Sequence, residues 1–371
     1  MHTGLGLQFA NLDRKVTDAA VYELELSLGA RAEEKGFDSV WMSEHHFADY
    51  QLTSQTPMIL SWLAGQTQRI KLGTMVTVLP WNDPIRVAEA FSVIDHVSGG
   101  RAILGLGRGL GQKEFVGFRV EMGESRRRFT EYSEAILQAL ETGVMEYDGE
   151  LYKQPRVEIR PAPFKSYKGR TFASAVSPES MEIMARMGVG LMVIAQKPWD
   201  TAEAELEAYR KRFYEIQGTE APKPVLVVVA GVAKTHDEAD VLRNTYMQRW
   251  ARSTVEHYEF ANEGFADIEG YEYYGALAAN INKHGVDKFA GFLADLQVWG
   301  TPDECTEKLL NYAKRTDAGG MVVIPSFGAM PAEIANTSYD LLAAEVIPEL
   351  QRLDVGGDIG VTYEPMPTEV G

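Results

Sequence analysis

Eight short runs of β-branched and apolar residues, at 5–10, 39–43, 72–79, 102–106, 171–176, 191–195, 225–232 and 321–325, alternate along this chain with longer stretches of helical apolar spacing. That order argues an α/β protein with a parallel sheet, because each run is followed by enough chain to cross back over the sheet as a helix. Eight strand-then-helix units predict a single (β/α)8 TIM barrel over residues 1–354; an open, doubly wound sheet is the competing arrangement. The helical stretches fall at 18–34, 57–67, 84–97, 125–142, 178–187, 201–217, 237–260, 302–315 and 331–353. Two of them open on Asp83-Pro84 and Thr301-Pro302, a capping side chain followed by a proline whose missing N–H costs a helix start nothing.

Composition narrows the function classes. With 45% apolar and 24% charged residues the chain can bury a large core. Its 36 basic and 53 acidic side chains leave a net charge of −17, a field that repels polyphosphates, so no nucleic-acid partner is expected. No apolar run approaches the length of a membrane span, and the N-terminus lacks a basic, then apolar, export signal. A lone cysteine, Cys305, rules out an intrachain disulfide and a Cys-rich zinc site, and is read as packing. A cytoplasmic enzyme is the expectation.

Two segments exceed ordinary barrel connections. Residues 147–170, with Pro155, Pro161 and Pro163, predict an extended excursion or small hairpin, and residues 262–291 before the eighth strand predict a lid, with a helical insertion as the alternative. The Gly-, Pro- and acid-rich end, 355–371, is expected to be a flexible tail.

In a barrel of this kind the chemistry sits where the strands end. Glu44-His45-His46 follows strand two. Neighbouring histidines point to opposite faces, which disfavours a shared metal ion and leaves a wall histidine or a catalytic base. Gly105-Leu106-Gly107-Arg108-Gly109 closes strand four; its glycines allow a flat ring or phosphate to approach, and Arg108 offers a bidentate fork to an anion. Ser177 and Ser180 flank the start of the helix after strand five, where free N–H groups favour an anion or simply a cap. Arg126, Arg127 and Arg128 sit in a first helical turn, against the macrodipole, and so call for an anionic neighbour such as Glu124 or Glu131. Together these residues predict a phosphorylated cofactor beneath a lid, with a histidine across the mouth.

The motifs Gly36-Phe37-Asp38, Trp41-Met42-Ser43-Glu44-His45-His46-Phe47, Leu72-Gly73-Thr74, Val78-Leu79-Pro80, Asp83-Pro84-Ile85-Arg86, Asp95 to Arg101, Gly105 to Gly109 and Gly300 to Cys305 follow one another in an order that resembles the bacterial luciferase-like flavin monooxygenases over nearly the whole chain. The resemblance implies a TIM barrel that takes reduced FMN from a separate NAD(P)H:flavin reductase, forms a C4a-hydroperoxide with O2, and oxygenates an organic substrate by hydroxylation, Baeyer-Villiger insertion or aldehyde oxidation. By matching positions it implies His45 as the catalytic histidine, Arg108, Ser177 and Ser180 on the FMN phosphate, and Arg126 or Arg128 as a further phosphate arginine. Met75-Val76 matches a cis pair beneath the flavin ring, with Gly105 to Leu110 completing the floor, and Val176 stands beside the phosphate serine. A dimer is also implied. Gly107, Gln196 and Val176 replace a cysteine, a tryptophan and a glutamate of the light-producing subunit, so light emission is not expected. An apolar substrate is expected from Phe47, Trp81 and Phe327 near strand ends. The rival readings are an F420-dependent hydride transferase and a non-catalytic flavin-binding subunit.

Overall fold

The computed structural model describes residues 1–174, 178–356 and 359. Strands β1 (His2–Leu7), β2 (Ser39–Met42), β3 (Lys71–Thr74), β4 (Ala102–Gly107), β5 (Thr171–Ser174), β6 (Gly190–Ile194), β7 (Val225–Val232) and β8 (Gly320–Ile324) run parallel, each beside the next. β8 pairs back onto β1, with Leu5 opposite Val323, and closes the expected TIM barrel.

Alternation along each strand sorts the core into two layers. Val40 and Met42, Leu104 and Leu106, Leu226 and Val228, and Met321 and Val323 face outward and pack under the helices. Trp41, Ile103, Val225, Val227, Val229 and Val322 face inward. Because both faces are covered, the strands read as near-continuous apolar runs, which is why they are legible in the sequence. Trp41 fills the barrel between its neighbours: a Cβ on Gly4 of β1 would lie 2.7 Å from its Nε1, and one on Gly73 of β3 only 2.4 Å from its Cε3. Those two positions must stay glycine for the indole to lie flat across the barrel.

Where the chain departs from expectation, the causes are local. The third strand, expected unbroken over 72–79, stops at Thr74; a cis Met75-Val76 peptide intervenes, and pairing resumes at Thr77–Val78 against Leu106 and Gly107. The excursion at 147–170 is a hairpin set earlier, Val144–Asp148 against Lys153–Glu158. The insertion before β8 is largely helical, with a 3-10 turn at Glu263–Asp267 and helices at Glu272–His284 and Val286–Asp295. Its apolar positions Tyr274, Ala278 and Ile281 keep helical spacing and are buried, a period hidden in the sequence by the run of glycines and tyrosines before it. A further helix, Gln112–Phe118, follows β4 unforeseen. Of the expected tail only Val355, Gly356 and Ile359 are described. Ile359 is buried, and its carbonyl accepts from Lys71 Nζ at 2.5 Å.

Cys305 is buried, its thiol 3.8 Å from the carbonyl of Gly231, as packing requires. Near the opposite end of the barrel from the strand C-termini, Arg170 meets Asp95 through two hydrogen bonds of 2.7 and 2.5 Å, both side chains fully out of solvent. A buried pair of this kind costs far more to break than to replace. Arg170→Met is therefore expected to lower unfolding stability by about 3–5 kcal/mol, and Asp95→Leu in the same chain to recover most of it, both read by urea denaturation.

Candidate active site

The strand C-termini surround a cleft of about 1440 Å³, counting its open mouth. His45, Met75, Val76, Gly107, Arg108, Leu110, Arg126 and Ser180 all line it. Eight of the ten residues singled out in the sequence thus converge. The other two, Val176 and Ser177, lie outside the described residues.

The glycines of strand four serve the protein before they serve a ligand. A Cβ on Gly105 would fall 1.8 Å from the Thr74 carbonyl oxygen, and one on Gly107 would fall 2.0 Å from Val76 Cγ2. The absent side chains make room for the Thr74 to Val76 turn, which then presents its backbone to the cavity.

The arginine run resolves by pairing. Arg128 binds Glu124 through Nε and Nη2 at 3.0 and 2.8 Å and donates to Tyr132; Arg127 reaches Glu150 at the surface. Glu131 is taken up by the backbone N–H groups of residues 150–152. Arg126 is the member that faces the cleft, beside Arg108. The Arg108 guanidinium lies 4.1 Å from the centre of the Tyr271 ring, and its Nη1 is buried with no hydrogen-bond partner among the described residues. Gly270 at φ +84° leans on this pair, where a Cβ would lie 2.7 Å from Arg108 Nη1 and 3.3 Å from Arg126 Nε. Tyr271 then fastens the insertion down: its hydroxyl donates to the Gly109 carbonyl at 2.8 Å and meets Ser125 Oγ at 2.9 Å. Glu272 is held below the ordinary carboxylate range, first by the Gly270 N–H and then by the two arginines.

His45 belongs to a polar cluster most of whose members lie away from the strand ends. Its Nδ1 is 3.1 Å from Glu114 Oε1 and 3.2 Å from His257 Nε2, and its Nε2 is 3.3 Å from the Tyr258 hydroxyl. Tyr50 stacks on His257 at 4.3 Å and burial pushes its hydroxyl up to about 12. Glu114 comes from the unforeseen helix after β4; the strand-end filter stopped five residues short of it. His257 and Tyr258 lie at the end of a helix, 212 and 213 residues from His45, where no local pattern marks them. His46 is a wall residue, its Nε2 3.0 Å from Glu44 Oε1. Glu44 in turn accepts from the Val78 N–H at 2.7 Å and from Asn82 at 2.9 Å, bracing the second and third loops. Of the expected apolar contacts only Trp81 lines the cleft; Phe327 is buried in the core behind it, and Phe47 is half exposed at φ +57°.

Burial alone would raise the Glu114 carboxyl, but the facing His257 and His45 outweigh it and hold it at about 2. Burial lowers His257, against the pull of Glu114. Both depressions have the same sign for stability: the unfolded chain binds the extra proton first, so stability is lost on acidification. The His257 part goes as pH falls below 6.5, the Glu114 part as it falls from 4.5 toward about 2. Denaturation curves between pH 5 and pH 2 are expected to show a loss of about 3 kcal/mol from this carboxylate that Glu114→Gln does not show.

The family model described as luciferase-like monooxygenase matches residues 1–318. The chain belongs to that family. As a member it is classed as a flavin-dependent monooxygenase. It is 31% identical over 337 residues to the alkanal monooxygenase alpha chain of Photorhabdus laumondii, covering 88% of this chain and 91% of that one. Among solved structures it is similar to the oxygenating constituent of 3,6-diketocamphane monooxygenase from Pseudomonas putida, a type II Baeyer-Villiger monooxygenase solved with FMN. That match has a TM-score of 0.71 and 19% identity, covering 94% of this chain and 98% of that one. An F420-dependent secondary alcohol dehydrogenase matches as well, at TM-score 0.70 and 16% identity, covering 94% and 98%. At such identities the two structures share the fold and do not choose the cofactor. Among the described residues no helix is long and apolar enough to cross a membrane.

Proposed function

We propose that this protein is the oxygenating component of a two-component system that uses reduced FMN and O2 to oxygenate an apolar organic substrate. The observation that carries the reading is the buried Nη1 of Arg108, without a hydrogen-bond partner among the described residues, beside Arg126 in a cleft that His45 also lines. A buried guanidinium N–H without an acceptor is costly, and a phosphate dianion is the group that satisfies a pair of arginines best. The fit extends to Ser180, on the helix Pro178–Met187, and to Gly107 and Val76, which line the same cleft and against which a ring would lie. Residues Val176 and Ser177 are assigned to the phosphate end by resemblance alone.

When bound, reduced FMN would supply the electrons that activate oxygen. The protein's part is positioning and proton handling. Arg108 and Arg126 anchor the phosphate. His45, held by Glu114 and Tyr258, gives and takes a proton at the cleft. Tyr271, pinned to Gly109 and Ser125, keeps the insertion over the mouth and water out. Trp81, Met184 and Ile194 supply apolar walls for substrate. The flavin is transient in this scheme, so a separate NAD(P)H:flavin reductase delivers it. A dimer is part of the proposal, supported by an apolar strip on two adjacent helices: Met58 and Trp62 on one, Val93 and Val97 on the other, all exposed.

The test is rapid mixing of the protein and anaerobically reduced FMN with oxygenated buffer. Slowed flavin reoxidation relative to free flavin, with oxygen incorporated into a screened substrate, is the expected result. Oxygen-independent turnover with F420 would overturn the reading in favour of a hydride transferase, and flavin binding without product in favour of a non-catalytic subunit.

A further inference from the structure

His45, Glu114 and His257 do more than hydrogen-bond. Each offers one donor atom, and the three atoms lie within 4.8 Å of one another. The nearest separations are 3.1 Å for His45 Nδ1 to Glu114 Oε1, 3.2 Å for His45 Nδ1 to His257 Nε2, and 3.7 Å for His257 Nε2 to Glu114 Oε2. Around a tetrahedral zinc-sized ion, with bonds of about 2.0–2.1 Å, neighbouring donors stand about 3.3 Å apart. With a single Glu114 oxygen the three donors lie within 4.8 Å of one another, close enough for small side-chain rotations to bring them to that spacing around an ion.

Two further observations point to a ligand. Glu114 Oε2 is buried and receives no hydrogen bond among the described residues, although Oε1 of the same carboxylate accepts from the His46 N–H at 2.8 Å. His45 Nδ1 faces Glu114 Oε1 at 3.1 Å and His257 Nε2 at 3.2 Å, and one ring nitrogen cannot donate to the first while accepting from the second, whereas a shared metal ion satisfies all three groups. The rings are also held in place, His257 by stacking on Tyr50 and His45 by Tyr258 at its other nitrogen. Such outer contacts are what orient metal-binding histidines.

We propose that His45, Glu114 and His257 form a binding site for a divalent transition-metal ion of the zinc class, with a fourth position open to the cleft. The two histidines adjacent in sequence do not share the ion. The second and third ligands come from other loops, and His46 stays on the wall. If His45 handles protons as proposed above, an ion held there switches the enzyme off; the binding itself does not rest on that reading.

The experiment adds Co2+ to the full-length, flavin-free protein in a non-chelating buffer and follows its visible ligand-field absorption. Saturation at about one ion per chain with the intensity of a tetrahedral site, bleached by Zn2+, is expected. His257→Ala and Glu114→Gln should each weaken binding by at least about ten-fold, while His236→Ala, at a surface histidine, should leave it unchanged. If His257→Ala fails to fold by circular dichroism, Glu114→Gln, which keeps the side chain's shape, carries the comparison. Absence of the absorption in the unsubstituted protein, or equal absorption in Glu114→Gln, overturns the proposal. FMN titrations of the same samples report separately on the flavin reading.

Discussion

His45→Ala is expected to lower the rate of substrate oxygenation by about 10²- to 10⁴-fold, the usual contribution of a positioned acid-base side chain. The imidazole lines the cleft and is held by a fixed carboxylate: Glu114 lies at Nδ1, and Nε2 is left for the Tyr258 hydroxyl. Oxygen consumption should continue, with hydrogen peroxide appearing in place of product, because Arg108 and Arg126 are untouched and flavin should still bind. The measurement is product formed per oxygen consumed, alongside the dissociation constant for reduced FMN. A variant that oxygenates at the original rate would remove His45 from the chemistry.

The second large effect is expected at Arg108. Arg108→Ala should weaken FMN binding by about 10- to 150-fold, since a hydrogen-bonded charge is worth about 1.5–3 kcal/mol. Riboflavin, which lacks the phosphate, should bind the variant and the unsubstituted protein alike. That contrast separates a phosphate anchor from a merely structural arginine. Arg127→Ala and Arg128→Ala should change little, because those side chains are committed to Glu150 and Glu124. Fluorescence titration with the two flavins reads all four combinations, and an equal loss for riboflavin would refute the assignment.

The arginine run shows why a correct motif can still be ambiguous. Three consecutive residues on a helix point in directions about 100° apart, so only one can face a given site. Which one does depends on how the helix is rotated about its own axis. That rotation is set by Phe129, Tyr132 and Ile136 packing beneath it, and they turn Arg126 toward the cleft. Glu114 is a different case. It sits five residues beyond the last strand-four residue considered, in a short helix whose Gln112–Phe118 segment carries too little periodicity to be read as one. His257 had no signal at all.

Much of the architecture was written in local pattern. Strands buried on both faces are continuous apolar runs, and intervening helices repeat at 3.6 residues, so the barrel and its strand ends follow from the sequence with errors of a few residues. The residues at those ends follow too, which is why His45, Arg108 and Ser180 all reach one cavity. Tertiary structure alone decided what surrounds His45, whether the long insertion is helical, and which arginine faces inward. Those outcomes rest on contacts between segments dozens to hundreds of residues apart, such as Glu114 and His257 with His45 or Tyr271 with Gly109. Such contacts are fixed by closure of the barrel, a global event, and no window of sequence short enough to show a period contains both partners.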